Sequence, residues 1–155
     1  MFLVLDNTVL SNFSLAGRID LLAQLSAERV VTVDDAWNEW QVGIRLGRIP
    51  LADMSWLPVL ELDESEQKVR DELVPPLDLG EAECLALAKS RGYALLTDDR
   101  VARREARRLG VPLSGTIGAL VSLVDDHLLT LAEANHLLQQ MIAFGYRSPL
   151  QTLSD

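Results

Sequence analysis

Two short, unbroken apolar runs end on carboxylates: Phe2-Leu3-Val4-Leu5 on Asp6, and Tyr93-Ala94-Leu95-Leu96-Thr97 on Asp98-Asp99. A strand buried on both faces shows no polar alternation, so runs of this kind predict strands of a parallel sheet covered by helices. Open α/β sheets place their ligand sites beyond the carboxyl ends of the strands. Acids at two such ends therefore converge on one crevice. Clustered carboxylates repel one another, and a hard cation with oxygen ligands, Mg²⁺ or Mn²⁺, is the usual reason a fold tolerates them.

Strand signals alternate with helix signals along the rest of the chain, which predicts a three-layer α/β/α sandwich around a central parallel sheet. Thr8 is the expected cap of a first helix ending near Leu15, and 19–25 forms a second helical piece with Leu21, Leu22 and Leu25 inward. A strand is expected over 29–33. Asp34 then caps a helix that turns Trp37, Trp40 and Ile44 inward and ends near Gly47. The middle reads less sharply, with strand-like alternation over 56–62 and a polar helix over 65–73. Beyond it come a helix over 79–91, the strand over 93–97, a helix over 100–109, a short strand over 111–113 and a helix opening near Thr116. Thr130-Leu131-Ala132-Glu133 matches a capping box and opens a C-terminal helix over about 130–144.

With 155 residues, 48% hydrophobic and 24% charged, the chain is expected to be one domain with a substantial core. The first apolar run meets Asp6 too early for a signal peptide, and no apolar stretch approaches the roughly 18 residues that span a bilayer. The single cysteine, Cys84, leaves no internal disulfide framework and argues against a cysteine-rich zinc site, as expected in a reducing cytoplasm. A net charge of -9 weighs against a nucleic-acid partner on the sum alone. Distribution matters more: Glu61, Asp63, Glu64, Glu66, Asp71 and Glu72 crowd one stretch that reads as a solvated surface, and bound metal neutralises other acids locally.

On the helix over 79–91, positions 81, 84, 85 and 88 share a face, so Glu81 tops a core-facing stripe while Glu83 points away. Both glutamates also suit a helix N-terminus without any site. Glu39 lies between Trp37 and Trp40 in its helix, and of Asp98 and Asp99 one is expected to cap the next helix while the other faces the crevice. Arg100, Arg103, Arg104, Arg107 and Arg108 fall on one arc opposite Ala102, Ala106 and Leu109, a basic ridge able to hold a phosphate backbone or simply to pair with acids. Thr116 opens a helix whose N-terminus suits phosphate or is a plain turn and cap. His127 and His136, both in the C-terminal part, read as surface or packing residues, which leaves metal chemistry rather than a histidine base.

Four segments together resemble the ordered acidic motifs of PIN-domain proteins, in particular the uncharacterised bacterial and archaeal branch related to VapC-type toxins. They are Leu5-Asp6-Asn7-Thr8-Val9-Leu10, Asn38-Glu39-Trp40, Leu79-Gly80-Glu81-Ala82-Glu83 and Leu95-Leu96-Thr97-Asp98-Asp99-Arg100, and the likeness extends to Gly115-Thr116-Ile117-Gly118 and the terminal helix. The resemblance implies an α/β/α nuclease that uses Mg²⁺ or Mn²⁺ to hydrolyse RNA, often as the toxin of a type II toxin–antitoxin pair, with an antitoxin partner and a possible homodimer. By position, the acids carried over are Asp6, Glu39, Glu81 and Asp99, the interval from Glu81 favouring Asp99 over Asp98. Thr8 matches the small hydroxyl residue after the first acid, and Thr8, Arg100, Arg103, Arg107 and Thr116 are the expected RNA contacts. The third acid of the family is usually Asp; here it is Glu, so Glu81 and Glu83 both stay open. An aspartyl-nucleophile phosphatase is disfavoured because Thr8 stands where its second Asp belongs. The competing reading is a catalytically weak or inactive PIN-like module that binds a protein or RNA partner.

Overall fold

The computed structural model describes residues 1–154, apart from the side chains of 26–28. Five parallel strands form its sheet in the order β3-β2-β1-β4-β5. These are β1 (Leu3–Leu5), β2 (Val30–Val33), β3 (Val59–Leu60), β4 (Ala94–Leu96) and β5 (Leu113–Ser114). Helices α1 (Asn7–Leu15), α2 (Asp34–Arg45), α3 (Glu64–Leu73), α4 (Leu79–Arg91), α5 (Arg100–Arg108), α6 (Thr116–Asp125) and α7 (Leu131–Ala143) cover it, with a 3-10 helix at Ile19–Glu28. The result is a three-layer α/β/α sandwich.

Successive strand residues feed opposite layers, as the two-residue period of a strand requires. Leu5 and Leu96 join Phe13, Trp40, Leu120 and Leu138 in one core, while Val4 and Leu95 join Leu85, Leu87 and Ala102 in the other. Because β1 is central, the chain runs outward through β2 and β3 and then crosses back to lay β4 on the other side of β1. The direction of winding reverses between β1 and β4, and the crevice beyond their carboxyl ends is the place where such sheets bind ligands.

Local capping departs from the sequence pattern in ways that matter for the site. Asp6, not Thr8, caps α1 by accepting the Asn7 N–H. Asp34 caps nothing: α2 begins at Asp34 without a side-chain cap of its own, and Glu83 reaches across from α4 to accept the Asp35 N–H at 3.2 Å. The strand expected over 56–62 contracts to Val59–Leu60, since pairing with β2 reaches only Thr32 and Val33. Thr130 caps α7 through the Glu133 N–H, but the Glu133 carboxylate takes the Thr130 hydroxyl rather than closing a full capping box. In α4 the expected single stripe is absent, because Gly80 and all of 82–88 are buried. Small residues at Ala82, Cys84, Ala86 and Ala88 let this helix sit between the sheet, α2, α3 and α5.

The acidic stretch around α3 is not uniformly solvated. Glu66 is 2% exposed, and its carboxylate takes two hydrogen bonds from Arg91 at 2.8 and 3.0 Å and one from the Asp63 N–H at 2.9 Å. The Arg91 guanidinium, first, and the Asp63 amide hold Glu66 below the ordinary carboxylate value despite burial. A carboxyl group lowered in the fold stabilises it above its unfolded pKa and loses that contribution as pH falls through its folded value. Arg91→Ala should therefore cost about 2 kcal/mol near neutral pH by leaving a buried carboxylate unpaired. Urea titrations near pH 7 and at about pH 3 should show the difference from wild type shrinking in acid.

Candidate metal and nucleic-acid site

Asp6 leaves the end of β1 directly into the start of α1 and is 3% exposed. Its Oδ1 accepts the Asn7 N–H at 2.7 Å, while Oδ2 accepts the Thr97 hydroxyl at 2.7 Å and the Thr8 hydroxyl at 3.3 Å. Both hydroxyls serve twice: Thr8 Oγ1 accepts the Asp98 N–H at 3.0 Å, and Thr97 Oγ1 accepts the Asp99 N–H at 3.2 Å. The end of β1 is thereby stitched to the turn after β4. Burial raises the Asp6 carboxyl to about 6, against the opposing pull of its three donors.

Glu39 projects from α2 toward the first turn of α4. Its Oε2 accepts from Asn7 Nδ2 at 3.4 Å, and its Oε1 lies where a Cβ on Gly80 would stand only 2.5 Å away. Glycine at position 80 is what leaves room for this carboxylate. Loss of hydration raises Glu39 to about 7, helped by the fields of Asp78, Asp6 and Asp35.

Glu81 and Asp78 form a capping box at the start of α4: Asp78 Oδ1 accepts the Glu81 N–H at 2.8 Å, and Glu81 Oε2 accepts the Asp78 N–H at 3.2 Å. Burial again leads in raising Glu81 to about 7, with Asp78, Asp99 and Asp6 adding repulsion. Glu83 sits 8% exposed at the start of α2, its pKa pushed up by burial; contrary to the expected stripe with Glu81 at its top, Glu83 is the more buried of the two.

The two acids after β4 do not divide their work as the sequence pattern suggests, since each engages a helix start. Asp99 caps α5, its Oδ2 accepting the Ala102 N–H at 2.9 Å. Asp98 is committed to α6: Oδ1 accepts the Thr116 N–H at 2.9 Å, and Oδ2 accepts the Thr116 hydroxyl at 2.5 Å and Asn12 Nδ2 at 3.0 Å. Gly115 permits this approach, because a Cβ there would meet Asp98 Oδ1 at 2.5 Å. Thr116, expected at a phosphate-binding helix start, is fully buried and spends its N–H and hydroxyl on this internal carboxylate. Oδ1 of Asp99 keeps no hydrogen-bond partner among the described residues.

Asp6 and Asp78 thus act on both Glu39 and Glu81, and Asp99 acts on Glu81, around the switch between β1 and β4. Among the described residues, however, no three acids, histidines or cysteines stand close enough to hold one ion together. The donor set is all oxygen, burial and then the fields of neighbouring acids raise Asp6, Glu39 and Glu81, and the space beside Gly80 is reserved for a carboxylate; that chemistry fits a hard divalent cation. Asp78, which the sequence pattern did not single out, is the fifth acid of the group; its capping position was the available signal.

The arginine arc of α5 is only partly a ridge. Arg103 leaves it, donating from Nη1 to the carbonyls of Thr97 at 2.7 Å and Ser114 at 3.1 Å and so tying the ends of β4 and β5 together. Arg108 pairs with Glu105 at 2.7 Å. Arg100, Arg104 and Arg107 remain exposed, and Arg100 borders a cleft of about 500 Å³ that also meets Asp99, Asn12, Tyr146 and Arg147. The polar positions 7, 8, 11 and 12 on one side of α1 could have revealed this wall of the cleft; nothing in the pattern after α7 pointed to Tyr146 or Arg147.

A family model described as a PIN domain matches residues 2–155. No curated protein and no solved structure matches the chain. With a parallel α/β/α sandwich and acids gathered where its winding reverses, the chain belongs to the PIN-domain family, whose members are generally nucleases.

Proposed function

We propose that this PIN-domain protein is a Mg²⁺- or Mn²⁺-dependent endoribonuclease, acting on RNA in the cytoplasm as the toxin half of a toxin–antitoxin pair. The observation that carries the reading is the shared elevation of Asp6, Glu39 and Glu81, three carboxylates from β1, α2 and α4 that burial and mutual repulsion hold above their ordinary values at one crevice. Perturbed acids of this kind concentrate at functional sites. Asp6, Glu39, Glu81 and Asp99 would hold the cation. A bound Mg²⁺ or Mn²⁺ supplies charge neutralisation at the phosphate and a water acidic enough to attack it.

The chain's own groups orient these ligands. Thr97 and Thr8 aim the Asp6 carboxylate, Asn7 holds one oxygen of Glu39, and the Asp78 N–H holds one oxygen of Glu81, leaving the second oxygen of each glutamate without a hydrogen-bond donor among the described residues. Arg100, Arg104 and Arg107, exposed on the helix that follows Asp99, would take backbone phosphates. The alternative, a weak or inactive module that acts by binding a partner, draws support from one feature: Glu81 and Asp99 are already employed as helix caps, and no three acids are grouped at ligand distance among the described residues. Manganese calorimetry separates the two readings, and a small reading frame next to this gene would point to an antitoxin.

Asp6→Asn should abolish Mn²⁺-dependent RNA cleavage, and Asp99→Asn should do the same while still capping α5, since Asn is as good a cap as Asp. Circular dichroism should find both variants folded. No cleavage by wild type across a broad RNA panel with Mn²⁺ would favour the binding module.

Gly80→Ala should leave the fold intact, alanine being the better helix former by about 1 kcal/mol, yet displace the Glu39 carboxylate and weaken Mn²⁺ binding by about tenfold or more. Unchanged calorimetric affinity would remove Glu39 from the ligand set.

Stability should also depend on pH with a distinctive sign. Asp6, Glu39 and Glu81 retain protons in the fold that the unfolded chain releases, so between about 4 and about 7 the native state binds more protons and loses stability as pH rises. Mn²⁺, which requires the ionised forms, should reverse that slope. Thermal scans of the metal-free and Mn²⁺-loaded protein across this interval provide the measurement; parallel curves would count against the site.

A further inference from the structure

The cleft beside the acids has a wall that the family's acidic motifs do not describe. On one side stands the polar face of α1; on the other, the chain after α7 brings in Tyr146 and Arg147. This tail is anchored rather than loose. Gly145, at φ +110°, turns the chain off α7, and the Tyr146 N–H donates to the Met141 carbonyl at 3.0 Å. Further on, Asn135 holds Leu153 like a strand partner, accepting its N–H at 2.6 Å and donating to its carbonyl at 3.1 Å, while the Leu153 side chain is buried in the core. The Tyr146 ring packs against that same core and also lines the cleft, with its hydroxyl beside Asp98.

The groups presented to the cleft are of three kinds. Arg100 and Arg147 are exposed and lack carboxylate partners among the described residues. Asn12 spends its amide N–H groups on Asp98 and Thr116, so its Oδ1 is left as an acceptor without a partner among the described residues. Tyr146 contributes an aromatic surface held in place from behind. Cations for phosphates, an amide acceptor for a base amine or a ribose hydroxyl, and an aromatic face for stacking are the elements of single-stranded RNA recognition. At about 500 Å³ the cleft is of ordinary size for a small-molecule site.

We propose that this cleft seats the nucleotide adjacent to the cleaved bond, with its base against Tyr146 and its flanking phosphates on Arg100 and Arg147, so that Tyr146 sets which RNA sequences are preferred while Arg147 adds affinity for all of them. The inference rests on the ribonuclease reading above and adds the tail as its specificity element. Preorganisation by the anchored tail limits the ordering cost of binding.

The test measures binding of labelled single-stranded RNAs of roughly ten nucleotides, purine-rich and pyrimidine-rich, across a salt series with Ca²⁺ in place of Mn²⁺ to suppress turnover. Arg147→Ala should weaken all sequences alike and reduce the salt slope by about one phosphate contact. Tyr146→Leu should weaken binding about tenfold and erase the difference between purine-rich and pyrimidine-rich RNA, whereas Tyr146→Phe should keep both. Mn²⁺ affinity should be that of wild type in all three variants. Arg147 is exposed, so Arg147→Ala decides the matter if Tyr146→Leu disturbs folding. Wild-type affinity and slope in Arg147→Ala with retained preference in Tyr146→Leu would overturn the proposal, as would a wild type that binds no RNA. The predicted binding pattern without any cleavage in Mn²⁺ would leave this cleft assigned and strike down only the nuclease reading.

Discussion

A carboxylate at the end of the central strand has to be buried without collapsing the structure around it, and the way Asp6 is held organises everything nearby. It satisfies the first amide of α1 with one oxygen and receives the hydroxyls of Thr97 and Thr8 with the other. Those hydroxyls accept the backbone N–H groups of the two residues that follow Thr97. Losing Asp6 therefore unsettles the start of α1 and the turn leading into α5 together. Burial still outweighs the three donors and leaves the group near 6, a tension that a neighbouring cation would relieve.

Helices α1, α5 and α6 begin on this side of the sheet because each directly follows a parallel strand and so starts at its carboxyl end, and α4, which follows α3 and leads into β4, starts here too. The starts of α1, α4, α5 and α6 each receive a carboxylate, from Asp6, Asp78, Asp99 and Asp98 respectively. Helix N-termini carry partial positive charge, which favours acids there. In a protein of net charge -9 this reduces, without cancelling, the repulsion that an approaching polyanion meets. Much of the acidity near the crevice is already committed to the fold.

The strands and most helices were legible because a buried parallel strand needs an uninterrupted apolar run and each helix opens on a recognisable polar residue; α4 falls at Leu79–Arg91 as the pattern predicts. Asp6, Glu81 and Asp99 were legible as acids at the ends or starts of such elements, whereas Glu39, in the middle of α2, was singled out by the resemblance to PIN-domain motifs. What stayed hidden depends on contacts between distant segments. Glu83 capping α2, Arg103 bridging two strand ends and Asp98 occupying the start of α6 join residues whose spacing in the chain carries no periodic signal. The buried Glu66 was misjudged for the same reason: its partner Arg91 lies 25 residues away, beyond any local reading of α3.

The central position of β1 also has a consequence for how the protein is made. Asp6 leaves the ribosome well before the Thr97 hydroxyl that donates to it, which comes 91 positions later, and β4 reaches its place only by pairing with β1. Until β4 has been made, β1 carries its acid with no strand on that side. The crevice closes up only when the second half of the chain has emerged, so a truncated nascent chain lacks the assembled site however much of the first half has folded.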